Sequence, residues 1–472
     1  MERETEPCAF GGGHLPEQCC SRVTKEAILR KNTGRRRRLL GVAASVISIA
    51  VLATGCSYLG GDSGGASDSK LLRIFVHSNG PTDAGFKKIN ALFEKQNPGV
   101  KVEMTTAVGA DFATTRNTRM TAKDVDITEG SEQGGTSMLP SWVKDQKPTS
   151  WVRGLQAGNW VDLSDEKFLS NFSSGILEKY AYEGKQYAVP TGTSHLSGVF
   201  YNKVMFTKYN LAVPTTWGEL ETVMETLKTN GENPFIIGGK DSWPASLPIA
   251  GLVQSIYPDP VALDKGLWEG TATLSDPKAV ELMDKLKTIY ANTAPNWAGM
   301  DYSSIPSRFV KGEGAMLPDG GWEIPAIQTA DPAFEFGYFP MPGSDKAADN
   351  KYIASKLEFS LSIPSSSKNQ DLAKKWLALY SEPKVYADFI AASGFGPAQP
   401  NLTLPDALAS IQQYLPPSGF TPGWDQVFHP NTKSGPLALI PFAFSSVTPL
   451  GTETDMTSLS QKMDADWKAG LK

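Results

Sequence analysis

The chain is predicted to fold as an α/β protein with two hydrophobic bodies. Short apolar runs alternate with segments of helical period in two blocks, one over residues 70–128 and the other from residue 186 onward. Such alternation is typical of crossover units that build an open, largely parallel sheet. The chain after residue 56 of 472 is also longer than the roughly 250 to 300 residues at which one core stops growing. We therefore expect two α/β bodies, and the sequence shows no internal repeat.

The first block contains predicted strands joined by helices. Its first helix has an apolar face that includes Phe86 and Phe93, and it ends at Pro98. The predicted strands lie at 71–76, 100–105 and 124–128, with a polar helix before the last of them. Ligands of such sheets gather beyond the carboxyl ends of the strands, so polar side chains that follow the strands are candidates for binding.

The second block repeats this alternation and contains a capping box. In TTWGEL, Thr216 is the predicted helix cap and Glu219 lies three residues on, so each side chain can satisfy a free backbone N–H group. Predicted strands lie at 187–190, 198–201, 234–238, 314–318 and 336–339, and predicted helices at 216–229, 249–257 and 277–292. The C-terminal part is mostly helical.

An apolar run at 39–52 follows four arginines and leads into the sequence LATGC. A run of about fourteen apolar residues is too short to span a bilayer, which takes roughly 20, and its basic, apolar, small-residue order is typical of a cleavable export signal. LATGC resembles a bacterial lipobox, so Cys56 is predicted to become the acylated first residue of the mature protein. The alternative is an ordinary signal peptidase site. Arg36 and Arg37 also resemble a twin-arginine motif, so the export route stays open.

Residues 1–55 are predicted to be a signal peptide with a mis-set upstream start. The stretch before Arg35 is patternless, whereas signal peptides begin close to their basic region, and a start at Val23 or Leu29 gives an ordinary length. Residues 56–69 are predicted to be the lipid anchor and a flexible tether of Gly, Ser and Asp. The folded body is therefore expected at the extracytoplasmic face of the bacterial cell membrane.

The exported part is acidic and has no cysteine after Cys56, so its fold must hold without disulfides. It has 36 Lys and Arg residues against 45 Asp and Glu residues and no basic run, which argues against nucleic acid or anionic lipid as a partner. All 11 tryptophans lie in it. An acidic, Trp-rich exported protein suits neutral solutes with apolar faces, such as sugars.

Five segments together resemble the extracellular solute-binding proteins of sugar ABC importers, the large two-lobed class related to maltose-binding protein. They are AVPTGTSHLSGVFYNKVMF at 188–206, VPTTWGELETVMETL at 213–227, FVKGEGAMLPDGGWEI at 309–324, FGYFPMPG at 336–343 and LSIPSSSKNQDLAKKWLALY at 361–380. Their order and spacing match the family over nearly all of the mature chain. Their joint occurrence is much more specific than any one segment.

The resemblance implies a periplasmic-binding-protein-like fold of class II, with two lobes, each a mixed sheet flanked by helices, and a three-crossing hinge. It places the N-terminal lobe at 70–188 plus 341–393, the C-terminal lobe at 194–337 plus 399–472, and the hinges at 189–193, 338–341 and 393–398. It also implies a monomer that closes on a small-molecule carbohydrate and delivers it to ABC permease subunits in the membrane.

Trp322 and Trp243 are the first candidates for stacking against a sugar ring. Sugar recognition uses flat aromatic faces against the C–H side of the ring and polar groups around its rim. Trp322 follows two glycines that allow close backbone approach and matches the family's tryptophan after the GxxAM segment, or it anchors the next helix as a core residue. Trp243 lies where the family often has a stacking aromatic, with Asp241 beside it as a hydroxyl acceptor, or it packs under Pro244 and Pro248.

Polar candidates follow the strands of the first block and the first hinge. Asn79 and Glu129 lie where the family commonly places amide or acidic side chains in the cleft, although Glu129 can equally be a solvated loop carboxylate. His195, at the hinge exit, is either a ligand-facing group or a satisfied hinge residue. Weaker candidates are Phe395, Asp319, Trp297 and Trp424. Trp217 and Trp376 are most simply structural.

No cofactor, metal or catalytic residue is predicted. The chain has no GxSxG, HExxH or GxxxxGK[ST] motif, and the three histidines of its exported part are far apart in sequence. An exported glycoside hydrolase is the main alternative, because any Asp and Glu pair can meet in the fold at the roughly 5 to 9.5 Å that such catalysis needs. A binder of a non-sugar solute is another. A lipid-anchored adhesin or scaffold would instead predict repeats or an all-β pattern.

Overall fold

The computed structural model describes residues 70–78, 80–107, 111–131, 134–136, 138–404, 406–416, 420–439 and 441–472. The predicted signal segment, Cys56, the tether and Asn79 lie outside the described residues. None of the described helices is long and apolar enough to cross a membrane.

Strands and helices alternate along the described chain. The strands are β1 (Leu71–His77), β2 (Lys101–Ala107), β3 (Ile127–Glu129), β4 (Val189–Pro190), β5 (Thr193–Leu196), β6 (Gly198–Asn202), β7 (Met316–Asp319), β8 (Phe336–Pro340), β9 (Ala354–Leu357) and β10 (Ser360–Ser362). The α-helices are α1 (Gly80–Gln96), α2 (Asp111–Ala122), α3 (Ser150–Gln156), α4 (Ser174–Tyr180), α5 (Lys203–Lys208), α6 (Trp217–Thr229), α7 (Leu247–Ile256), α8 (Pro260–Glu269), α9 (Pro277–Ala291), α10 (Ile305–Val310), α11 (Ile324–Ala330), α12 (Gln370–Tyr380), α13 (Pro383–Ser393), α14 (Trp424–Val427), α15 (Pro436–Leu439) and α16 (Met456–Gly470).

The first sheet combines parallel and antiparallel strands. β1 pairs in parallel with β2 and β3, and β10 pairs antiparallel with β3 and β4, so the order within the described residues is β2-β1-β3-β10-β4. Because β1 and β3 are parallel neighbours, their carboxyl ends lie at the same edge. The alternation predicted for the first block is confirmed, and this sheet is mixed as the resemblance implied.

Helices α1, α12 and α13 pack an aromatic core against this sheet. The Phe86 ring centroid lies 4.8 Å from that of Phe389 and 6.2 Å from that of Trp376. Trp376 is fully buried and donates its indole N–H to Asn90 Oδ1 at 2.9 Å. Its predicted structural role is confirmed, because the ring is enclosed and its polar atom is satisfied.

The second sheet has β6 between β7 and β8, with both pairs antiparallel. The strand predicted at 234–238 is not formed. Instead, Phe235 makes isolated parallel bridges with Thr293 and Met316, and Phe235 and Ile236 are fully buried. This apolar run is part of the hydrophobic core and adds no strand to the second sheet, which is antiparallel among the described strands. The predicted two-bodied α/β fold is therefore confirmed.

The capping box at the start of α6 forms with a small change of partner. The Thr216 side chain accepts the Glu219 N–H at 3.3 Å, as predicted. The Glu219 carboxylate accepts the backbone N–H of Thr215 at 2.7 Å and its hydroxyl at 2.8 Å. Trp217 is buried in the second core, where the Lys285 ammonium lies 5.2 Å from its ring centroid, so Trp217 is structural.

A two-stranded antiparallel ribbon of β5 and β9 joins the two sheets. The chain leaves the first sheet at β4 and passes through β5 into β6, and it returns from β8 through β9 to β10. Met341 packs in the same core as Phe339, and the Gly343 N–H donates to Asn350 Oδ1 at 3.1 Å. Residues 341–353 therefore stay with the second body. The predicted lobe boundary and hinge at 338–341 stay predictions, and the described chain next reaches the first sheet through β9.

The segment between β3 and α3 also contacts the second body, although it was assigned to the N-terminal lobe. Trp142 donates its indole N–H to Asp264 Oδ2 at 2.9 Å, and Lys433 pairs with Asp145 at 2.9 Å. The Thr432 hydroxyl donates to the Gln146 side-chain oxygen at 2.7 Å. This excursion reaches α8 and the loop after α14 before the chain returns to α3.

Candidate ligand-binding site

The ribbon between the two sheets carries buried polar side chains. Ser194 and His195 lie on β5, Lys356 lies on β9, Glu358 follows it, and each is at most 9% exposed. Buried polar groups are uncommon unless they are hydrogen-bonded or paired, and buried charges more so. The ribbon is therefore the natural place to look for a site, and residues from both bodies converge on it.

Trp322 lies beside this ribbon, in the short helical turn Gly321–Glu323 after β7. Lys356 Nζ is over its indole, 4.7 Å from the ring centroid. The Gly320 backbone lies so close to the six-membered ring that a Cβ there would come within 2.1 Å of Cζ3. Trp322 is 6% exposed and shares a core with Leu361 of the first sheet and Leu247 of α7. Its indole therefore connects the two bodies.

Trp243 and Tyr302 extend an aromatic patch from Trp322. The Trp243 centroid is 4.5 Å from that of Tyr302, edge to face, and 6.4 Å from that of Trp322. The Trp322 indole N–H donates to Tyr302 Oη at 2.8 Å. Trp243 is half-buried and so keeps ring surface open to solvent. The structure thus brings together the two tryptophans that the sequence ranked first, while their binding role stays a prediction.

Two carboxyl groups meet the Tyr302 hydroxyl. That hydroxyl donates to Glu323 Oε2 at 2.7 Å and lies 3.2 Å from Asp319 Oδ1. Burial raises the pKa of Glu323 to about 7. Burial and then the Glu323 charge raise the pKa of Asp319 well above its ordinary value. Asp319 is 1% exposed, and among the described residues its Oδ2 has no hydrogen-bond partner. This oxygen can form a hydrogen bond with a ligand hydroxyl.

Lys356 is the cation among these acids. Its Nζ is 3.8 Å from Glu358 Oε1, and the Ser194 hydroxyl donates to the same oxygen. Asp425, at the start of α14, has an Oδ1 atom that is buried without a hydrogen-bond partner among the described residues. Burial raises the pKa of Asp425, and the positive charge of Lys356 opposes that rise.

Glu129 lies at the shared carboxyl edge of β1 and β3. It is 4% exposed and accepts the backbone N–H of His77 at Oε2, 3.1 Å away. Burial raises its pKa well above the ordinary value, and the Glu358 charge adds to the rise. The alternative of a solvated loop carboxylate is therefore wrong. The sequence predicted correctly that Glu129 lies at the carboxyl edge of the first sheet. Its contact with a ligand stays a prediction.

His195 lies where the three crossing segments meet. Its Nδ1 is 3.1 Å from the Ser355 hydroxyl on β9, and its Nε2 faces Gly396, which pairs with Thr193. Burial lowers the pKa of His195 to about 4, so the ring is neutral at pH 7. Within the described residues its Nε2 has no hydrogen-bond partner. Its observed contacts are with β9 and with the segment at Gly396, and the ligand-facing role stays a prediction.

Asp241 and Phe395 support the site from its flanks. Asp241 is exposed, and its Oδ2 accepts the backbone N–H of Tyr302 at 2.8 Å, which fixes the start of the turn that carries Tyr302. Phe395 is 6% exposed and shares the core of Trp322, with its ring 6.4 Å from that of Phe389. Both lie near the aromatic patch, and neither is shown to contact a ligand.

Trp297 and Trp424 lie in the second hydrophobic core rather than in the aromatic patch. Trp297 is 3% exposed and packs 4.8 Å from Tyr290 in the second core. Trp424 is equally buried there, 5.0 Å from Phe428. Both indoles pack among apolar side chains, and ligand contact by either residue stays an untested prediction.

Sequence reasoning missed several polar residues of the site: Tyr302, Glu323, Lys356, Glu358 and Asp425. One signal was available in SKLEF, where a lysine and a glutamate alternate with apolar residues in a strand next to a predicted crossing. Tyr302 and Asp425 carried no local signal. Within the described residues, no group of three or more His, Cys, Asp or Glu side chains is arranged to hold a metal ion. The arrangement can stack an apolar ring face and accept hydroxyl protons.

The chain is similar to known sugar-binding proteins in sequence and in fold. The chain is 26% identical over 339 residues to the multiple sugar-binding protein of Streptococcus mutans, covering 70% of this chain and 75% of that protein. It superposes with a TM-score of 0.64 on the receptor RafE in complex with raffinose, at 24% identity over 85% of this chain and all of that chain. A sugar transporter protein of Bacillus licheniformis in complex with stachyose superposes with a TM-score of 0.63 at 20% identity, over 85% of this chain and 100% of its own. These neighbours have the two-lobed periplasmic-binding-protein fold.

The family model agrees with the fold and with the five segments that the sequence carries. The model of the bacterial extracellular solute-binding proteins matches residues 78–387, well over half of the chain. That span begins directly after β1 and includes the other nine described strands, among them the ribbon between the two sheets. The chain therefore belongs to the family of bacterial extracellular solute-binding proteins.

Proposed function

We propose that this chain is the lipid-anchored, extracytoplasmic substrate-binding component of an ABC transporter for carbohydrate uptake. It captures a neutral mono- or oligosaccharide between its two bodies and delivers it, as a monomer, to permease subunits in the membrane. The family membership supports this role, as do relatives that are named for sugar binding or were solved with raffinose and stachyose.

The observation that carries the proposal is the aromatic patch beside acceptor carboxyl groups. Trp322, Trp243 and Tyr302 offer ring surfaces, and Asp319 offers a buried oxygen with no partner among the described residues. A saccharide has an apolar C–H face and a rim of hydroxyl donors, so it matches both features. Such a pairing of stacking and hydrogen bonding is common where small polar ligands are bound.

The charge of the site favours a neutral ligand over an anionic one. The Glu358 charge acts on the pKa of Glu129 and of Asp425, and Lys356 acts on the pKa of Asp425 and of Asp319, which neighbours Glu323. Among the described residues, five carboxyl groups thus surround the site with two nearby cations, Lys356 and Arg116, so a phosphorylated or uronic saccharide would bring further negative charge to an acidic region. Such a ligand would need an Arg or Lys cluster instead.

Closure between the lobes follows from the ribbon. The passages at 189–193 and at β9, together with 393–398, are proposed as the three hinge crossings, and 341–353 moves to the C-terminal lobe. Ser194 and Lys356 lie on these passages. The contacts that a ligand makes with them therefore depend on the angle between the two bodies. Ligand contacts made in one arrangement and not in the other shift the population toward the closed form.

Ligand binding is tested by thermal shift on protein from residue 57 onward, against a panel of neutral saccharides that includes raffinose and stachyose. Binding to the folded state raises Tm with ligand concentration. We expect at least one neutral saccharide to do so, and chromatography of the incubated sugar to return it intact. Release of a cleaved product would instead support the glycoside hydrolase alternative, in which Asp319 and Glu323 would be the first carboxyl pair to examine.

Anchoring is tested separately by mass spectrometry of the mature protein from membranes. The expected N-terminus is a lipid-modified Cys56, and Cys56→Ala is expected to prevent attachment to the membrane. An unmodified N-terminus at another residue would contradict the anchor and leave sugar binding unaffected.

A further inference from the structure

Two of the groups that contact the Trp322 indole differ in whether they can move. The Gly320 backbone packs against the six-membered ring, and a main-chain contact of this kind is fixed by the turn after β7. The other group is the Lys356 ammonium, 4.7 Å from the ring centroid. A lysine side chain has four rotatable carbons, so its ammonium can be relocated without a change in the backbone.

We propose that Lys356 occupies the surface of Trp322 on which the ligand ring stacks, so that the ligand and the ammonium compete for the same place. This inference rests on the proposed function and adds a residue that sets affinity. A cation over an indole and a sugar ring over an indole both use the electron-rich face, so only one can be there at a time. Binding must therefore move the ammonium aside.

The surrounding acids provide a place for the displaced ammonium. Glu358 Oε1 lies 3.8 Å from Nζ, beyond the length of a good hydrogen bond, so this pair can shorten. Asp425 offers a buried Oδ1 without a partner among the described residues, and the Lys356 charge already acts on its pKa. Either carboxylate can take the ammonium as a charge-assisted donor. The ligand hydroxyls then donate to Asp319.

The test compares ligand affinities of wild type, Lys356→Ala and Lys356→Met by isothermal titration with raffinose, stachyose and any other panel saccharide that raises the wild-type Tm. Removing the competing cation is expected to lower Kd about tenfold, because its contact with the ring no longer has to be broken. The methionine variant keeps the side-chain bulk without the charge, so it covers the case in which the alanine variant does not fold. A cooperative thermal melt confirms the fold of each protein.

Lys240→Ala is the matched control. Lys240 pairs with Asp301 at 2.6 Å next to Tyr302, so this variant removes a nearby cation that is exposed and does not touch Trp322. Its Kd should equal that of wild type. If the Lys356 variants bind equally or more weakly than wild type, Lys356 is not a competitor and the inference falls while the proposed function stands. If wild type binds no saccharide in the panel, the proposed function falls.

Tryptophan emission gives a second readout. An ammonium near an indole perturbs its fluorescence, so Lys356→Met should change the emission without ligand. We expect saturating saccharide to change wild-type emission in the same direction and to have a smaller effect on Lys356→Met. An equal ligand response in both proteins would show that binding leaves the ammonium in place, and would overturn the inference.

Discussion

Trp322 and Trp297 are both nearly buried, at 6% and 3% exposure, yet their surroundings differ. Trp297 packs against Tyr290 and the backbone at Gly239 in an apolar core. Trp322 has an ammonium over its ring and donates its N–H to a tyrosine that also meets two carboxyl groups. Exposure alone therefore does not separate the tryptophan proposed to stack on a ligand from a core tryptophan. The polar groups around the ring are what differ.

The largest expected effect is the loss of stability when the core tryptophan, Trp297, is removed. Trp297→Ala should lower the free energy of unfolding by about 3 to 5 kcal/mol, because it removes a large buried ring and leaves a cavity. Denaturant unfolding measures this change. The folded variant should bind the panel saccharide with wild-type Kd, and a tenfold loss of affinity would place Trp297 in the site.

Trp322→Ala should affect ligand binding more than stability, whereas Trp297→Ala should affect stability more than binding. We expect the saccharide-induced thermal shift to disappear, with a loss of affinity of at least about a hundredfold, because the stacking surface is gone. The protein's own melt should stay cooperative, although at a lower Tm. If the Trp322→Ala protein binds with wild-type affinity, Trp322 is not a ligand-binding residue, and the proposed difference in function between Trp322 and Trp297 is contradicted.

A smaller effect is the pH dependence of stability that Glu323, beside Trp322, contributes. Burial raises the pKa of Glu323 from 4.5 to about 7. Between these values the unfolded chain has released a proton that the folded chain still holds, so the free energy of unfolding falls as pH rises through this window and levels off above it. Wild-type Tm should drop between about pH 5 and about pH 8 by on the order of 2 to 4 °C more than that of Glu323→Gln. Equal slopes for the two proteins would contradict a buried, protonated Glu323.

The smallest expected effect is on Asp241, and it tests whether this residue contacts the ligand. Asp241→Ala removes the acceptor for the Tyr302 N–H and should weaken saccharide binding about threefold or less, because an exposed hydrogen bond contributes little. Isothermal titration with the panel saccharide measures it. A loss beyond about tenfold would instead indicate that Asp241 bonds the ligand directly, as the sequence proposed.

Local patterns predicted the framework well where the apolar spacing was regular. The alternation of strands and helices in the first block, the Thr216 cap and the burial of Trp376 all follow from short stretches of sequence. The run at 234–238 failed as a strand because apolar composition does not say whether a buried segment joins a ladder. The packing of Met341, directly after β8, on the second body has no local marker in the sequence.

Chain order and residue type alone determined that this protein has alternating α/β bodies, family segments in a set order and a tryptophan that follows two glycines after a strand. The tertiary structure decided which indoles have polar neighbours. Lys356 reaches Trp322 only because the chain returns through β9, and Tyr302 and Asp425 arrive from other turns of the second body. The physical reason is that desolvation, pKa shifts and stacking depend on neighbours that are far apart in sequence, whereas helix and strand periods depend on neighbours that are close.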